Sequence, residues 1–470
     1  MQWVFVLALC GFATALQASV PPDPIDDFVA SEVPAKGAPG LAYAVLQDGE
    51  ISSGARGETL AGSGKAITPD TRFVLGSISK SFTAVAVMQL VEAGEVDLDA
   101  GISQYLETFS DSPGGSITIR QLLGQTSGYS TLQGNDTLAA PGPGADGLQR
   151  QVERIAGWTP AYPPGTRWDY SNANYYVLGA LIEGVSGQDY ARYVEAEILA
   201  PIGMADSFVA DGEIHDEIAR GHTPWFGGKR AVPEGATDRM SAPVGGVIAT
   251  ARDTARYLAV MMNGEDDIIS AGSKSEMMRP AADEAPFYGF GWYIDRENGT
   301  VSHTGLTPGV ETLAIMVPAE RKGLVILLNS GSGMGFGENA ALFNGLSARA
   351  LGLDEASEGG RWSRQALFAS FALLPLVFAA GILVAWLRRD GLRAKAGLSG
   401  TFSLWFPLLM TLVLAWTTLI LVPQLFGVSI GTLGRFSPDL ALVMIATAVT
   451  GLLWAVFRLG AFHSGKSGPT

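Results

Sequence analysis

A serine and a lysine stand three residues apart where an apolar helical pattern begins, and together they could form a nucleophile and its base. Ser77 and Lys80 follow Gly76, and apolar residues then recur at helical spacing from Phe82 to Val91. Residues three apart lie on the same side of a helix, and a helix N-terminus favours developing negative charge. A serine hydroxyl becomes nucleophilic when a base takes its proton, and a lysine whose pKa is lowered by burial can be that base. An isolated pair of this kind is more often a capping serine followed by an exposed lysine, so other motifs must decide.

Two polar tripeptides follow the Ser-x-x-Lys motif in the chain. They are Tyr170-Ser171-Asn172 and His303-Thr304-Gly305, and each occurs once. The three motifs in this order resemble the serine β-lactamase and penicillin-binding protein superfamily. The tyrosine and histidine variants are similar to its class C β-lactamase, D-alanyl-D-alanine carboxypeptidase and esterase branch. The likeness extends from about Leu41 to Asn329.

The resemblance implies a role for each catalytic group. Ser77 would be the nucleophile, Lys80 its base, and Tyr170 a phenol that relays the proton and later helps to activate water. Asn172 would hold the acyl-side amide of a substrate. The backbone N–H groups of Ser77 and Leu306 would form the oxyanion hole, and such donors contribute roughly 3 kcal/mol each to catalysis in other hydrolases.

Four further residues are expected to bind substrate. Thr304 and Gly305 follow His303, which stands where many members of the superfamily have a lysine, and Gln125 stands where many have a histidine. An unperturbed imidazole titrates near ~6.5. We therefore expect His303 to lose its charge between about pH 6 and 8, and the preference for carboxylate-bearing substrates to fall over that range. The alternative is a neutral histidine whose ring only packs in the strand.

The composition argues against several other classes of protein. The chain has 470 residues and a formal net charge of -15, and this acidity argues against nucleic acid as a partner. Its single cysteine, Cys10, lies in the N-terminal apolar run, so no catalytic thiol is expected. The histidines include no His-x-x-x-His pair, and we expect no metal and no cofactor. A small molecule or a peptide is the expected substrate, and the oligomeric state is left open.

The order of segments predicts an α+β catalytic domain at residues 19–355, after a signal peptide at residues 1–18. Asp48-Gly49 marks one hairpin and Glu311 to Leu328 contains another, so the two ends of the domain are expected to share one antiparallel sheet. Helices are expected to flank this sheet and to form an all-helical half between the hairpins, as in β-lactamases. Residues 131–159 are rich in Gly, Pro and Ala and are interpreted as a flexible insertion over the cleft.

Three uncharged apolar stretches of membrane-spanning length lie within residues 366–459, after a linker at residues 356–365. Basic residues cluster at 388–395, between the first two stretches. The positive-inside rule places this cluster in the cytoplasm, together with the tail at residues 460–470. We therefore expect three transmembrane helices, with the lipid bilayer as a partner. The expected location is the bacterial inner membrane, with the catalytic domain on the periplasmic side.

The sequence favours a membrane-anchored, exported serine hydrolase that works through an acyl-Ser77 intermediate on D-amino-acid peptides, β-lactams or small esters. Two alternatives are a sensor that is acylated at Ser77 without turnover and a catalytically silent scaffold. The sequence does not choose among peptidase, β-lactamase and esterase. A second serine motif, Gly427-Val-Ser-Ile-Gly431, matches the nucleophile turn of α/β-hydrolases. It lies between two apolar stretches, so Ser429 is not expected to react.

Overall fold

The computed structural model describes residues 24–139, 144, 146–332, 338–354 and 361–463. The predicted signal peptide lies outside these residues, as do parts of the predicted linker and tail. The described strands are β1 (Gly40–Gln47), β2 (Glu50–Gly57), β3 (Phe73–Val74), β4 (Phe208–Val209), β5 (His222–Trp225), β6 (Gly228–Ala231), β7 (Val247–Ala249), β8 (Tyr293–Asp295), β9 (Thr300–Thr307), β10 (Val310–Val317) and β11 (Lys322–Leu328). The described α-helices are α1 (Pro24–Ala35), α2 (Ser79–Glu92), α3 (Ile119–Leu123), α4 (Thr131–Asp136), α5 (Gly147–Ala156), α6 (Asn172–Ser186), α7 (Tyr190–Val194), α8 (Ala200–Ile202), α9 (Ala242–Gly245), α10 (Ala251–Met262), α11 (Ala271–Met277), α12 (Ala340–Leu351), α13 (Arg361–Leu387), α14 (Arg389–Arg393), α15 (Gly397–Trp416), α16 (Val422–Leu425), α17 (Ile430–Phe436) and α18 (Pro438–His463).

Six antiparallel strands form the main sheet in the order β2-β1-β11-β10-β9-β8. The first hairpin turns at Asp48 and Gly49, which have φ values of 52° and 89°. Aspartate and glycine tolerate this left-handed conformation better than most residues. Strand β1 pairs directly with β11, so that Leu41 lies opposite Leu328. The two ends of the catalytic domain therefore share one sheet, and the α+β prediction is confirmed.

The central strands of the sheet are buried on both faces. On β1, the side chains of Leu41, Tyr43 and Val45 join an apolar cluster with helices α1 and α12. Ala42 and Ala44 point to the opposite face and join the larger core, which includes α2 and α10. A strand that is covered on both sides needs a continuous apolar run rather than an alternating pattern, and β1 has one.

Helix α2 lies between the sheet and an all-helical half built around α6. It is buried on nearly all sides, including its polar residues Ser79, Lys80 and Thr83. Ser79 Oγ accepts a hydrogen bond from Val247 N over 3.0 Å, and Thr83 Oγ1 donates to Pro243 O over 2.7 Å. These bonds satisfy buried polar groups and hold the start of α2 in the centre of the domain.

Residues 131–159, predicted to be a flexible insertion over the cleft, contain helices α4 and α5 in their described parts. Helix α4 begins at a capping box, in which Ser130 Oγ accepts from Gln133 N and the glutamine side chain returns the bond. Helix α5 buries an apolar stripe from Leu148 to Ile155 against α6. The five glycines and two prolines among these 29 residues concealed both helices.

Three helices are long and apolar enough to cross a membrane: Phe368–Leu387, Gly397–Leu425 and Pro438–His463. The third helix packs against both of the others, while many of their large apolar side chains stay exposed. Such a surface suits a lipid environment. Residues 426–437, which we call the connecting segment, join the second and third of these helices. They contain α17 and lie against the catalytic domain, where Asn135 Nδ2 donates to Gly427 O over 3.0 Å.

Candidate active site

The serine at the start of α2 stands on a tight turn that glycine makes without strain. Gly76 has a φ of 57°, and a Cβ at this position would lie 2.8 Å from the backbone nitrogen of Leu306. The turn continues through the short 3-10 segment Gly76–Ile78 into α2. The half-buried Ser77 is therefore held at the N-terminal end of the helical stretch and beside strand β9.

Lys80 is completely buried, and its amine lies 3.0 Å from Ser77 Oγ. The same amine donates to the carbonyl oxygen of Val244 over 2.9 Å. Burial lowers the pKa of Lys80 well below its ordinary value, because the ammonium ion loses its hydration. A neutral amine has a free lone pair. Lys80 can therefore accept the proton of the Ser77 hydroxyl.

Tyr170 brings a third polar group to the same hydroxyl. Its phenol is hydrogen bonded to Ser77, and the centroid of its ring lies 5.1 Å from Lys80 Nζ. Burial and then the neighbouring Tyr293 raise the pKa of Tyr170 well above its ordinary value, and the bond to Ser77 offsets this in part. The phenol is thus protonated near neutral pH and can pass a proton between the base and a leaving group.

Gln125 holds the turn that carries Tyr170, and it lies beneath the cleft rather than in its wall. Its side chain is fully buried, and its Oε1 accepts from Ser171 N over 2.9 Å and from Asn174 Nδ2 over 2.5 Å. Its carbonyl oxygen accepts from Asp169 N over 3.0 Å. These bonds fix the backbone on both sides of Tyr170. We expected Gln125 to contact substrate, whereas its geometry is that of a positioning residue.

Asn172 begins helix α6 and lines the cleft beside Ser77. Its Nδ2 donates to Asn135 Oδ1 over 2.9 Å. Its Oδ1 is buried and has no hydrogen-bond partner among the described residues. A buried acceptor without a partner is costly, so a substrate N–H that reached it would form a favourable bond. This geometry suits the substrate-binding role expected of Asn172, which stays a prediction.

Strand β9 presents part of one edge to the nucleophile. Strand β8 pairs only with Thr300–Ser302, so the described strands leave the same edge of β9 unpaired from His303 onward. This unpaired part carries the third motif. The side chain of Thr304 is exposed. Its role in substrate binding stays a prediction.

A close backbone contact sets the distance between β9 and the nucleophile turn. A Cβ on Gly305 would lie 1.9 Å from Leu75 O, an oxygen that also accepts from Thr312 Oγ1 over 2.7 Å. Only a glycine allows the strand to come this near. The contact brings the backbone nitrogen of Leu306 next to the turn that carries Ser77. The oxyanion hole expected of the N–H groups of these two residues stays a prediction.

His303 is buried, and the expectation that it titrates near neutral pH is wrong. The centroid of its ring lies 5.3 Å from that of Tyr293 and 6.1 Å from that of Tyr170. Burial and then the nearby Lys80 lower the pKa of His303 to about 3, although a hydrogen bond to Thr304 O opposes this shift. The imidazole is therefore neutral at physiological pH. It donates through Nδ1 to the Thr304 carbonyl oxygen over 2.7 Å.

Two adjoining cavities open on Ser77. The larger, with a volume of about 580 Å³, is lined by Asn172, Leu306 and residues 232–238. The smaller, with a volume of about 210 Å³, is lined by Tyr170 and by the connecting segment. Small-molecule sites commonly have volumes of about 300–1,000 Å³. The two cavities together can hold a small molecule or a short peptide across the nucleophile.

Sequence reasoning found the polar side chains of the site but missed three of its parts. The carbonyl oxygen of Val244, which binds Lys80, is a backbone atom that no side-chain motif marks. Tyr293 packs on His303 from strand β8. The only sequence signal for this contact was the aromatic composition of the segment around Tyr293. The connecting segment gave no indication of its place in the site. Within the described ranges, no group of three or more His, Cys, Asp or Glu side chains could hold a metal ion.

Three comparisons relate this chain to known proteins. A family model described as Beta-lactamase matches residues 25–348. Penicillin-binding protein 4 of Amycolatopsis lactamdurans is 30% identical over 324 residues, which cover 63% of this chain and 82% of that protein. Protein flp of Staphylococcus aureus (strain NCTC 8325 / PS 47) is 25% identical over 278 residues, which cover 56% of this chain and only 54% of that protein. A crystal structure of SurE with D-Leu has a TM-score of 0.58 at 25% identity, over 72% of this chain and 77% of that chain.

Proposed function

This chain belongs to the beta-lactamase family, and we propose that it is a membrane-anchored, exported serine hydrolase that works through an acyl-Ser77 intermediate. The observation that carries the proposal is the buried amine of Lys80, 3.0 Å from Ser77 Oγ. Burial favours the neutral amine, which can take the proton of the hydroxyl. The candidate substrates are D-amino-acid peptides, β-lactams and small esters. The D-Leu in the SurE structure supports keeping D-amino-acid peptides among them.

In the acylation step, Ser77 Oγ attacks the carbonyl carbon of the substrate while Lys80 Nζ takes the hydroxyl proton. The carbonyl oxygen becomes an oxyanion, and the N–H groups of Ser77 and Leu306 stabilise it. The tetrahedral intermediate then collapses and the C–N or C–O bond breaks. The proton passes from Lys80 through the phenol of Tyr170 to the leaving group. The product of this step is an ester between the acyl group and Ser77.

Deacylation uses the same groups in reverse order. The Lys80 amine and the Tyr170 phenol both contact Ser77 Oγ, so a water molecule at the acyl carbon can lose its proton to this pair. The water oxygen bonds to the acyl carbon, Ser77 Oγ leaves, and the proton returns to it. A protein that completed only the acylation step would be the sensor named above as an alternative.

The charge of the cleft favours neutral substrates over carboxylate-bearing ones. His303 is neutral at the position where a lysine would supply a positive charge. Arg220 lines the larger cavity, but its guanidinium forms an ion pair with Glu234 at 3.0 Å. The guanidinium of Arg435 donates to the carbonyl oxygen of Leu138. A free carboxylate would have to compete with these partners for both arginines. Uncharged esters and amides are therefore the preferred candidate substrates.

The three apolar helices support the anchoring part of the proposal. Each is long enough to span the hydrocarbon core of a bilayer. The basic residues at 388–395 follow the first helix, which assigns that end to the cytoplasm. The catalytic domain precedes the first helix and therefore lies on the periplasmic side of a bacterial inner membrane. The assignment of the catalytic domain to this compartment rests on the length of the three helices and on the positive charge of residues 388–395.

Turnover by the full-length protein in detergent tests the proposal. The panel contains p-nitrophenyl acetate, a D-alanyl-D-alanine peptide and a chromogenic β-lactam. We expect the wild type and the control Ser429→Ala to hydrolyse at least one of them, and Ser77→Ala to hydrolyse none. Labelling of Ser77 by a fluorescent penicillin without turnover of any substrate would favour the sensor. Neither labelling nor turnover would favour the silent scaffold and contradict the proposal.

A further inference from the structure

The connecting segment (residues 426–437) supplies much of the wall of the smaller cavity at Ser77. Its contribution is mainly apolar and includes Phe426, Val428 and Leu433. No charged side chain lines this cavity among the described residues. The polar groups in its wall include the catalytic residues themselves. The cavity therefore joins a reactive polar end to an apolar chamber.

Hydrogen bonds tie the connecting segment to the catalytic domain. Asn135 Nδ2 donates to Gly427 O over 3.0 Å, and the backbone carbonyl oxygen of Asn135 accepts from Thr432 Oγ1 over 3.2 Å. The guanidinium of Arg435 donates to Leu138 O. The segment is thus bonded to the same helix and turn, residues 131–139, that carry part of the cleft wall. It forms a fixed wall of the cavity.

A second contact holds the catalytic domain against the ends of the apolar helices. Asp439, at the start of the third helix, accepts a hydrogen bond from Phe226 N over 3.1 Å. The ring of Phe226 lies 6.0 Å from that of Phe368, at the start of the first helix. Both contacts hold the catalytic domain against the helix ends that the proposed topology puts at the periplasmic surface.

We propose that the substrate carries an apolar chain next to the scissile bond, and that this chain lies against the connecting segment. The inference rests on the proposed function, since it assigns a substrate class to the Ser77 site. An apolar chain binds to an uncharged wall of this kind because both surfaces lose their contact with water. Each buried methylene of a ligand strengthens binding roughly fourfold. An amphiphilic ester or amide that collects at the bilayer surface has the required chemistry.

Chain-length preference in the full-length protein, reconstituted in nanodiscs, tests this inference. One series varies the acyl group from p-nitrophenyl acetate to the octanoate, and a second varies the alcohol of acetate esters. Phe436, which is half-buried and lines both cavities, is the residue to change. We expect kcat/KM to rise at least about tenfold with chain length in one series, which the burial of about two methylenes would supply.

The variant Phe436→Ser should lower the ratio of long-chain to short-chain kcat/KM about fivefold. Phe436→Leu should keep most of the preference. Phe402→Ser, a matched change on the exposed surface of the second apolar helix, should leave the ratio unchanged. A flat dependence on chain length in both series would overturn the inference. So would an equal effect of Phe436→Ser on short and long esters.

Covalent labelling separates a failure of this inference from a failure of the proposed function. A fluorophosphonate probe forms an O–P bond with an activated serine while fluoride leaves. Labelling at Ser77 and turnover of the acetate, without chain-length preference, would overturn the apolar-chain assignment alone. Loss of both labelling and turnover in the wild type would overturn the proposed function and the assignment with it.

Discussion

The buried amine of Lys80 links activity to pH. Its lowered pKa means that the base is neutral at higher pH and becomes protonated as the pH falls through that pKa. kcat/KM for a neutral ester should therefore rise with pH and then level off. Stability should also rise with pH between the lowered pKa and the ordinary lysine value, because the unfolded chain binds a proton that the folded one excludes.

Lys80→Arg tests this assignment directly. A guanidinium stays protonated, so the variant should lose at least about 10³-fold in kcat/KM and show no rising limb with the wild-type pKa. The measurement is kcat/KM for p-nitrophenyl acetate from acid to alkaline pH, with the fold of each variant checked by circular dichroism. A folded Lys80→Arg protein with an unchanged pH profile would mean that another group is the base.

For His303 we predict the opposite behaviour: the preference between carboxylate-bearing and neutral substrates does not depend on pH. With a pKa of about 3 it is neutral from pH 5 to 9, so the ratio of kcat/KM for a carboxylate-bearing ester to that for its neutral analogue should stay flat. His303→Gln, which is neutral at every pH, should leave the shape of this curve unchanged. A ratio that fell between about pH 6 and 8 in the wild type, but not in His303→Gln, would restore the titrating histidine.

At the scale of elements, the proposed oxyanion hole depends on how closely β9 approaches the nucleophile turn. Gly305→Ala would place a methyl group 1.9 Å from Leu75 O and push the strand away, moving the N–H of Leu306 out of the oxyanion hole. Loss of one such donor typically lowers kcat about 10²–10³-fold. The control is Gly272→Ala in α11, where an added Cβ comes no nearer than 3.6 Å to Ser270 Oγ. Equal activity of the two variants would remove Leu306 from the mechanism.

The sequence predicts a feature well when the residues that determine it lie close together in the chain. The Ser77–Lys80 spacing is set within one helical turn, and the Asp48-Gly49 hairpin within two residues, so both were predictable. The low pKa of His303 comes from neighbours on other strands and from α2, which no local pattern reveals. The helices within residues 131–159 were hidden because tertiary packing decides helix formation in a stretch rich in glycine and proline.

At the scale of the whole molecule, the proposed topology uses the three helices that are long and apolar enough to cross a membrane to fix the catalytic domain to one side of it. The positive-inside rule assigns residues 388–395 to the cytoplasm. A reporter that is active only in the cytoplasm, fused after Lys395, should therefore show activity, and the same reporter fused after Asp354 should not. The reverse pattern would invert the topology and remove the bilayer surface from the substrate argument.

The connecting segment brings a distant part of the chain to the cavity at Ser77. It lies about 350 residues after Ser77 in the sequence, yet both line the same cavity. Its sequence matches the nucleophile motif of another hydrolase class, whereas its Ser429 caps helix α17 by accepting from Thr432 N over 3.2 Å. Helix capping therefore explains the role of Ser429 in this motif. The segment as a whole forms part of the wall of the cleft.

The central claim is an acyl group on Ser77, and peptide mapping by mass spectrometry tests it most directly. The full-length protein is quenched in acid during turnover of p-nitrophenyl acetate and then digested. We predict an acetyl group on the peptide that contains Ser77 in the wild type and in Ser429→Ala, and none at this peptide in Ser77→Ala, which should also lack turnover. An acetyl group on a different side chain, or turnover by Ser77→Ala at the wild-type rate, would contradict the account.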